Sequence, residues 1–198
     1  MSTTAAKPRA VIKPTAIARL RSWPVIGGTV LLAAVVAASQ GSLVAAVLRT
    51  VMVFLLVPCA VIDLEQRIIP NKLTGPGAGI ALALGLGLNP AGEPSRLIWA
   101  GVAGGFLLAA ALAQPGGMGM GDVKLLGMMG LFLGAPVAIA LFVALLGNIL
   151  TAGLLARRHG VKVARKTKLP FGPYLAVGGF VAALAGSHLL NAYLTLGH

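Results

Sequence analysis

Apolar residues fill this chain in long runs, and short polar breaks separate them. About 20 mostly apolar residues in one α-helix are enough to cross the hydrocarbon core of a bilayer. The first such run extends from Trp23 to Ser39, the second from Leu43 to Ile62, the third from Leu73 to Leu88 and the fourth from Leu97 to Ala113. A short fifth helix is predicted from near Asp122 to Gly134, where Ala135-Pro136 turns the chain into a sixth run through Ala156. The seventh covers Phe171 to about Leu196. The pattern predicts an all-α fold, a polytopic transmembrane helix bundle of about seven spans, one of them short. Residues 1–22, polar and basic with Pro8 and Pro14, read as a mobile cytoplasmic tail, and residues 23–198 as a single transmembrane domain. The first run has the outline of a signal peptide, with basic residues before it and Ala37-Ala38-Ser39 closing it. It reads as a retained span because the apolar chain resumes after a very short break. Gly101 and Gly105 form a small-xxx-small spacing, which lets helices approach closely.

Composition supports the membrane reading. The 198 residues are 58% hydrophobic and 10% charged, more apolar surface than a soluble domain of this size can hide. A net charge of +12 on a soluble chain would point to nucleic acid, but here the charges sort by loop. Of the 16 Lys and Arg residues, all but Arg49 and Arg96 fall in the tail or in the loops 63–72, 114–124 and 157–170. That asymmetry puts these loops and the N-terminus in the cytoplasm. The run Arg157, Arg158, Lys162, Arg165, Lys166, Lys168 therefore calls for no nucleic acid and reads as a topology signal that also meets anionic lipid headgroups. The single cysteine, Cys59, excludes an intrachain disulfide and a four-cysteine zinc site, and His159, His188 and His198 are scattered.

Only four acidic residues remain as candidate chemistry: Asp63, Glu65, Glu93 and Asp122. Glu65, in a cytoplasmic loop, and Glu93, in the outer Asn89–Arg96 loop, read as solvated groups. Asp63 and Asp122 each stand at the cytoplasmic end of an apolar segment, on the same membrane face. Ionisable groups near bilayer depth are costly and mark function. Two carboxylates in a sparsely hydrated site do not both ionise easily; one keeps a proton, so the pair activates water and protonates a leaving amine. A helix cap, or an ion pair with Arg67 or Lys124, would account for either aspartate alone, but it accounts poorly for both in their surrounding motifs. Asp122 closes Gly119-Met120-Gly121-Asp122 and precedes Val123-Lys124-Leu125, where glycines permit an unusual backbone and close approach. Asp63 opens a loop through Arg67, Ile68, Ile69, Pro70, Asn71 and Lys72, in which Pro70 turns the chain back toward the membrane. Leu169-Pro170-Phe171-Gly172-Pro173-Tyr174 opens the last span at the same face, and its prolines are expected to leave backbone groups free for an extended substrate.

With these three stretches in place, the sequence resembles the bacterial type IV prepilin peptidases, over residues 48 to 185 or so. Their pattern is a GxGD aspartate followed by Val-Lys-Leu, a second aspartate upstream of Ile-Pro-Asn-x-Leu-Thr, and a Pro-Phe-Gly-Pro segment opening a late span. The resemblance implies Asp63 and Asp122 as a catalytic dyad, with Gly119, Gly121 and Lys124 in the active-site loop. Pro70, Asn71, Pro170, Phe171, Gly172 and Pro173 are candidate substrate contacts. It implies type IV prepilin or pseudopilin substrates with a short basic leader, cleavage at the cytoplasmic face of the bacterial inner membrane, and no metal or cofactor. Larger members carry an N-terminal cysteine-containing domain linked to methylation of the new N-terminus. Here a short basic tail and one extra span stand in that place, so peptidase activity alone is expected.

Other classes fit less well. A proton-coupled transporter would use intramembrane carboxylates too, but it favours internal repeats and acidic groups at mid-membrane, and neither is evident. A non-catalytic assembly subunit of a pilus or secretion system has no need of both aspartates. A presenilin-like protease shares the GxGD loop but requires Tyr-Asp and Pro-Ala-Leu segments that are missing from the needed places.

Overall fold

The computed structural model describes residues 14–113, 119–160 and 170–196, with side chains through Gly186. Residues Lys7, Arg9, Lys13, Lys162, Arg165, Lys166 and Lys168, expected at the cytoplasmic face, lie outside the described residues. The fold is an all-helical polytopic bundle: α1 (Pro14–Leu20), α2 (Trp23–Ala38), α3 (Leu43–Gln66), α4 (Asn71–Leu88), a single 3-10 turn (Pro90–Gly92), α5 (Glu93–Ala113), α6 (Met120–Leu133), α7 (Val137–His159) and α8 (Gly172–Leu196). Among the described residues three helices, Leu43–Gln66, Pro90–Ala113 and Val137–His159, are long and apolar enough to cross a bilayer. A fourth is available if α1 and α2, which meet at 56°, form one bent span. Large apolar side chains on the outside, such as Leu31, Phe106, Phe142 and Ile149, face where lipid would be.

The helix at the centre is α6. Its residues from Asp122 to Leu133 are almost all buried, among them Leu125, Leu126, Met128, Met129 and Phe132. A helix that is apolar all round belongs inside. At 14 residues it covers only about 21 Å, short of the roughly 30 Å hydrocarbon core, and it is not among the helices long enough to cross a bilayer by themselves. Glycine lets its neighbours come close: a Cβ on Gly130 would sit 2.5 Å from the Ala100 Cα of α5, and one on Gly104 would sit 3.5 Å from the Gly127 Cα. Gly101 and Gly105, the spacing singled out in the sequence, meet nothing within 4 Å, so the α5–α6 contact runs along a different glycine face.

Three further expectations are corrected. The segment Pro14–Leu20 is helical, with Ala16 buried, where the pattern predicted a mobile tail. Helix α3 continues past Asp63 to Gln66 and ends at Arg67 in a left-handed conformation (φ 53), so Asp63 lies in its last turns and does not open a loop. Glu93 is 2% exposed, paired with Arg96 at 2.9 Å, because Gly85 on α4 leaves room for both side chains. Its charge is held inside the protein, away from water.

Candidate active site

Both aspartates come to the same end of the bundle. Asp63 arrives on the C-terminal end of α3, and Asp122 on the first turn of α6. Each is nearly buried, 5% and 8% exposed. They lie near enough for the charge of Asp63 to be felt at Asp122. Among the described residues neither makes an ion pair; Arg19 binds Glu65 and Arg96 binds Glu93 instead.

Local sequence explains each position. The Gly172 N–H, at the start of α8, donates to Asp63 Oδ2 at 2.9 Å. A Cβ on Gly172 would lie 2.7 Å from that oxygen, so glycine is what allows the approach. The Gly119 N–H donates to Asp122 Oδ2 at 3.2 Å, which makes Asp122 a cap of its own helix as well as a member of the pair. A Cβ on Gly121 would meet the Ile69 Cβ at 2.9 Å and the Ile69 backbone at 3.4 Å. Buried Ile69 thus leans on the glycine loop and ties the chain after Asp63 to the chain before Asp122.

The remaining predicted residues sort around this centre. Lys124 Nζ donates to Asn71 Oδ1 at 3.1 Å, joining the start of α6 to the start of α4. These two line a cavity of about 490 Å³ with Thr74, Gly127 and Met128. Phe171 is buried and Pro170 is half-buried. The Phe171 carbonyl accepts from the Leu175 N–H at 3.1 Å, and Pro173 lies in the first turn of α8. The expectation that this segment leaves its backbone free is therefore corrected at Gly172, whose N–H is taken by Asp63. Ile69 has no assigned role in the sequence; its signal there is its place as the first residue of the Ile-Pro-Asn-x-Leu-Thr stretch.

Asp122 heads α6, which is not among the helices long and apolar enough to cross a bilayer by themselves. Burial pushes its carboxyl up to about 6; the charge of Asp63 adds to the rise, and the Gly119 N–H opposes it. Near pH 6 the Asp122 carboxyl is about half protonated, and below that it mostly holds the proton that the acid of an acid–base pair must give. Among the described residues no three His, Cys, Asp or Glu side chains gather as a metal-holding group.

Residues 50–156, which contain both aspartates and the Gly119–Asp122 loop, match the profile described as the type IV leader peptidase family. The chain belongs to that family. It is 34% identical to a "Prepilin leader peptidase/N-methyltransferase" of Aeromonas salmonicida, over 84% of this chain and 59% of that protein. A protein of the same description from Bacillus subtilis is 30% identical over 74% of this chain and 58% of its own length, and one from Stutzerimonas stutzeri 33% identical over 70% and 50%. The chain thus spans one half to three fifths of these relatives. No solved structure matches it.

Proposed function

We propose that this chain is an intramembrane aspartic endopeptidase that cuts the leader from type IV prepilins or pseudopilins at the cytoplasmic face of the inner membrane. The observation that carries the reading is the placement of two buried carboxylates, Asp63 and Asp122, at one end of the bundle inside the family match. Asp63 in its ionised form takes a proton from water as the water oxygen attacks the scissile carbonyl carbon. Asp122, whose protonated form persists to about pH 6, gives its proton to the leaving amine as the carbon–nitrogen bond breaks. The Gly172 and Gly119 amides hold the two carboxyls in place.

Charge supports the choice of face. Arg19, Arg67, Lys72, Lys124, Arg157 and Arg158 stand at helix ends on the dyad side, whereas Arg49 and Arg96 stand at the other. An excess of Lys and Arg marks the cytoplasmic side. Arg49 does not break the pattern, because the Ala183 carbonyl (3.1 Å) and the Gln40 side-chain oxygen hold it against the protein.

The test is co-expression with a prepilin, following leader removal by gel mobility. Wild type cuts, while Asp63→Asn and Asp122→Asn, each inserted in the membrane at normal levels, do not. Normal-rate cleavage by either variant would refute the dyad.

A further inference from the structure

Of the four carboxylate side chains in this sequence, Asp63 and Asp122 form the dyad, and Glu93 is buried against Arg96 among residues at the opposite end of the bundle. Glu65 is the remaining one. It lies two residues beyond Asp63, in the last turn of α3, with its side chain 14% exposed. Its Oε1 is held at 3.0 Å by the Nε of Arg19, a side chain that is itself 64% exposed. Its Oε2, and the Nε2 of neighbouring Gln66, are buried without a hydrogen-bond partner among the described residues. A carboxylate has room for two parallel donors, and a single Nε contact leaves half of it unused.

We infer that Glu65 is the subsite for a cationic side chain in the substrate's leader, and that Arg19 of the chain's own basic N-terminal segment occupies it between substrates. This rests on the peptidase reading above and names what that site recognises. The other charges at helix ends on this side of the bundle, Arg67, Lys72 and Lys124, are cationic and repel a cation, so one carboxylate here gives a leader Lys or Arg a defined place. A residue two positions on points to roughly the opposite side of a helix. The helix is about 10 Å across and an extended chain advances about 3.3 Å per residue, so the recognised cation lies about three or four residues from the cut bond. It is on the leader side, because Glu65 lies beyond Asp63 toward the end of the bundle.

Cleavage kinetics of the full chain in membranes, with a prepilin whose leader carries Lys or Arg, test this. Glu65→Gln raises KM up to about fivefold and leaves kcat unchanged, in keeping with a partly exposed charge pair. Replacing the recognised leader cation by Gln costs wild type the same factor and costs Glu65→Gln nothing more. Arg19→Gln moves KM the other way, downward, because it vacates the subsite. Glu65→Lys recovers cleavage when the leader cation is exchanged for Glu. An unchanged KM in Glu65→Gln, additive losses, or a rise in KM for Arg19→Gln as well (a mere tie between α1 and α3) would overturn the subsite while leaving the dyad intact. Failure of wild type to cut the prepilin at all would sink the peptidase reading first, and this inference with it.

Discussion

Gly172 and Asp63, 109 positions apart in the chain, are joined by one hydrogen bond from the Gly172 N–H to the Asp63 carboxylate at 2.9 Å. The last helix of the bundle thus starts on a catalytic candidate. Adding one methyl group at position 172 would place carbon 2.7 Å from Asp63 Oδ2 and 3.0 Å from its Cβ. Neither atom is the far end of a long flexible side chain, so Asp63 or α8 must move. Misplacement by about 1 Å in such sites costs roughly 100-fold in rate. Gly172→Ala is expected to lose about that factor in kcat while still inserting and folding, measured by leader removal per inserted molecule.

Gly121 offers a second test of the same principle on the other aspartate. A Cβ there meets Ile69 Cβ at 2.9 Å, with the Ile69 backbone close behind. Gly121→Ala therefore pushes the turn before Pro70 away from α6 and widens the dyad. The expected loss is about tenfold or more in kcat, with KM little changed if substrate docks elsewhere. A variant with wild-type kcat would show that Ile69 yields without moving either carboxyl.

The Asp122 carboxyl provides a prediction that needs no activity. Two causes raise it to about 6, burial first and the Asp63 charge second. Removing a neighbouring negative charge makes ionisation easier, so Asp63→Asn lowers the Asp122 value. Burial persists in the variant and keeps it above the ordinary carboxylate range. The protonated carboxyl band in the infrared, followed against pH, then disappears at lower pH in Asp63→Asn than in wild type. A shift upward would mean that Asp63 is not the charge acting on Asp122.

Much of this was legible in the sequence, and the misses share a cause. Most of the helices followed from alternating apolar runs and polar breaks, and so did the placement of Asp63 and Asp122 at one end of the bundle. Sequence placed Asp63 at the head of a loop because nothing marks the true end of α3: its left-handed terminal residue is Arg67, where a glycine would have signalled the stop. Gly101 and Gly105 looked like a packing face, but spacing alone cannot give rotation about the helix axis, and Gly104 faces α6 instead. Glu93 looked solvated because a charge next to a loop usually is. That it turns inward depends on Gly85, eight positions earlier on another helix.

That inward pair yields the last prediction. Arg96 Nη1 binds Glu93 Oε2 at 2.9 Å and Arg96 Nη2 reaches the Asn89 carbonyl at 3.3 Å, while Gly134, at the end of α6, packs on the Arg96 stem. The two side chains are 2% and 9% exposed, so breaking one leaves the other charged and buried. Such a break costs about 3–5 kcal/mol, whereas replacing both partners by uncharged groups of similar size is often near neutral. Arg96→Met and Glu93→Gln should each lower the thermal midpoint in detergent markedly, and the double variant should recover most of the loss. The pair sits at the far end of α6 from Asp122, so the double variant retains leader cleavage per folded molecule. Additive losses in the double variant would mean that Glu93 and Arg96 act separately, each through its own packing.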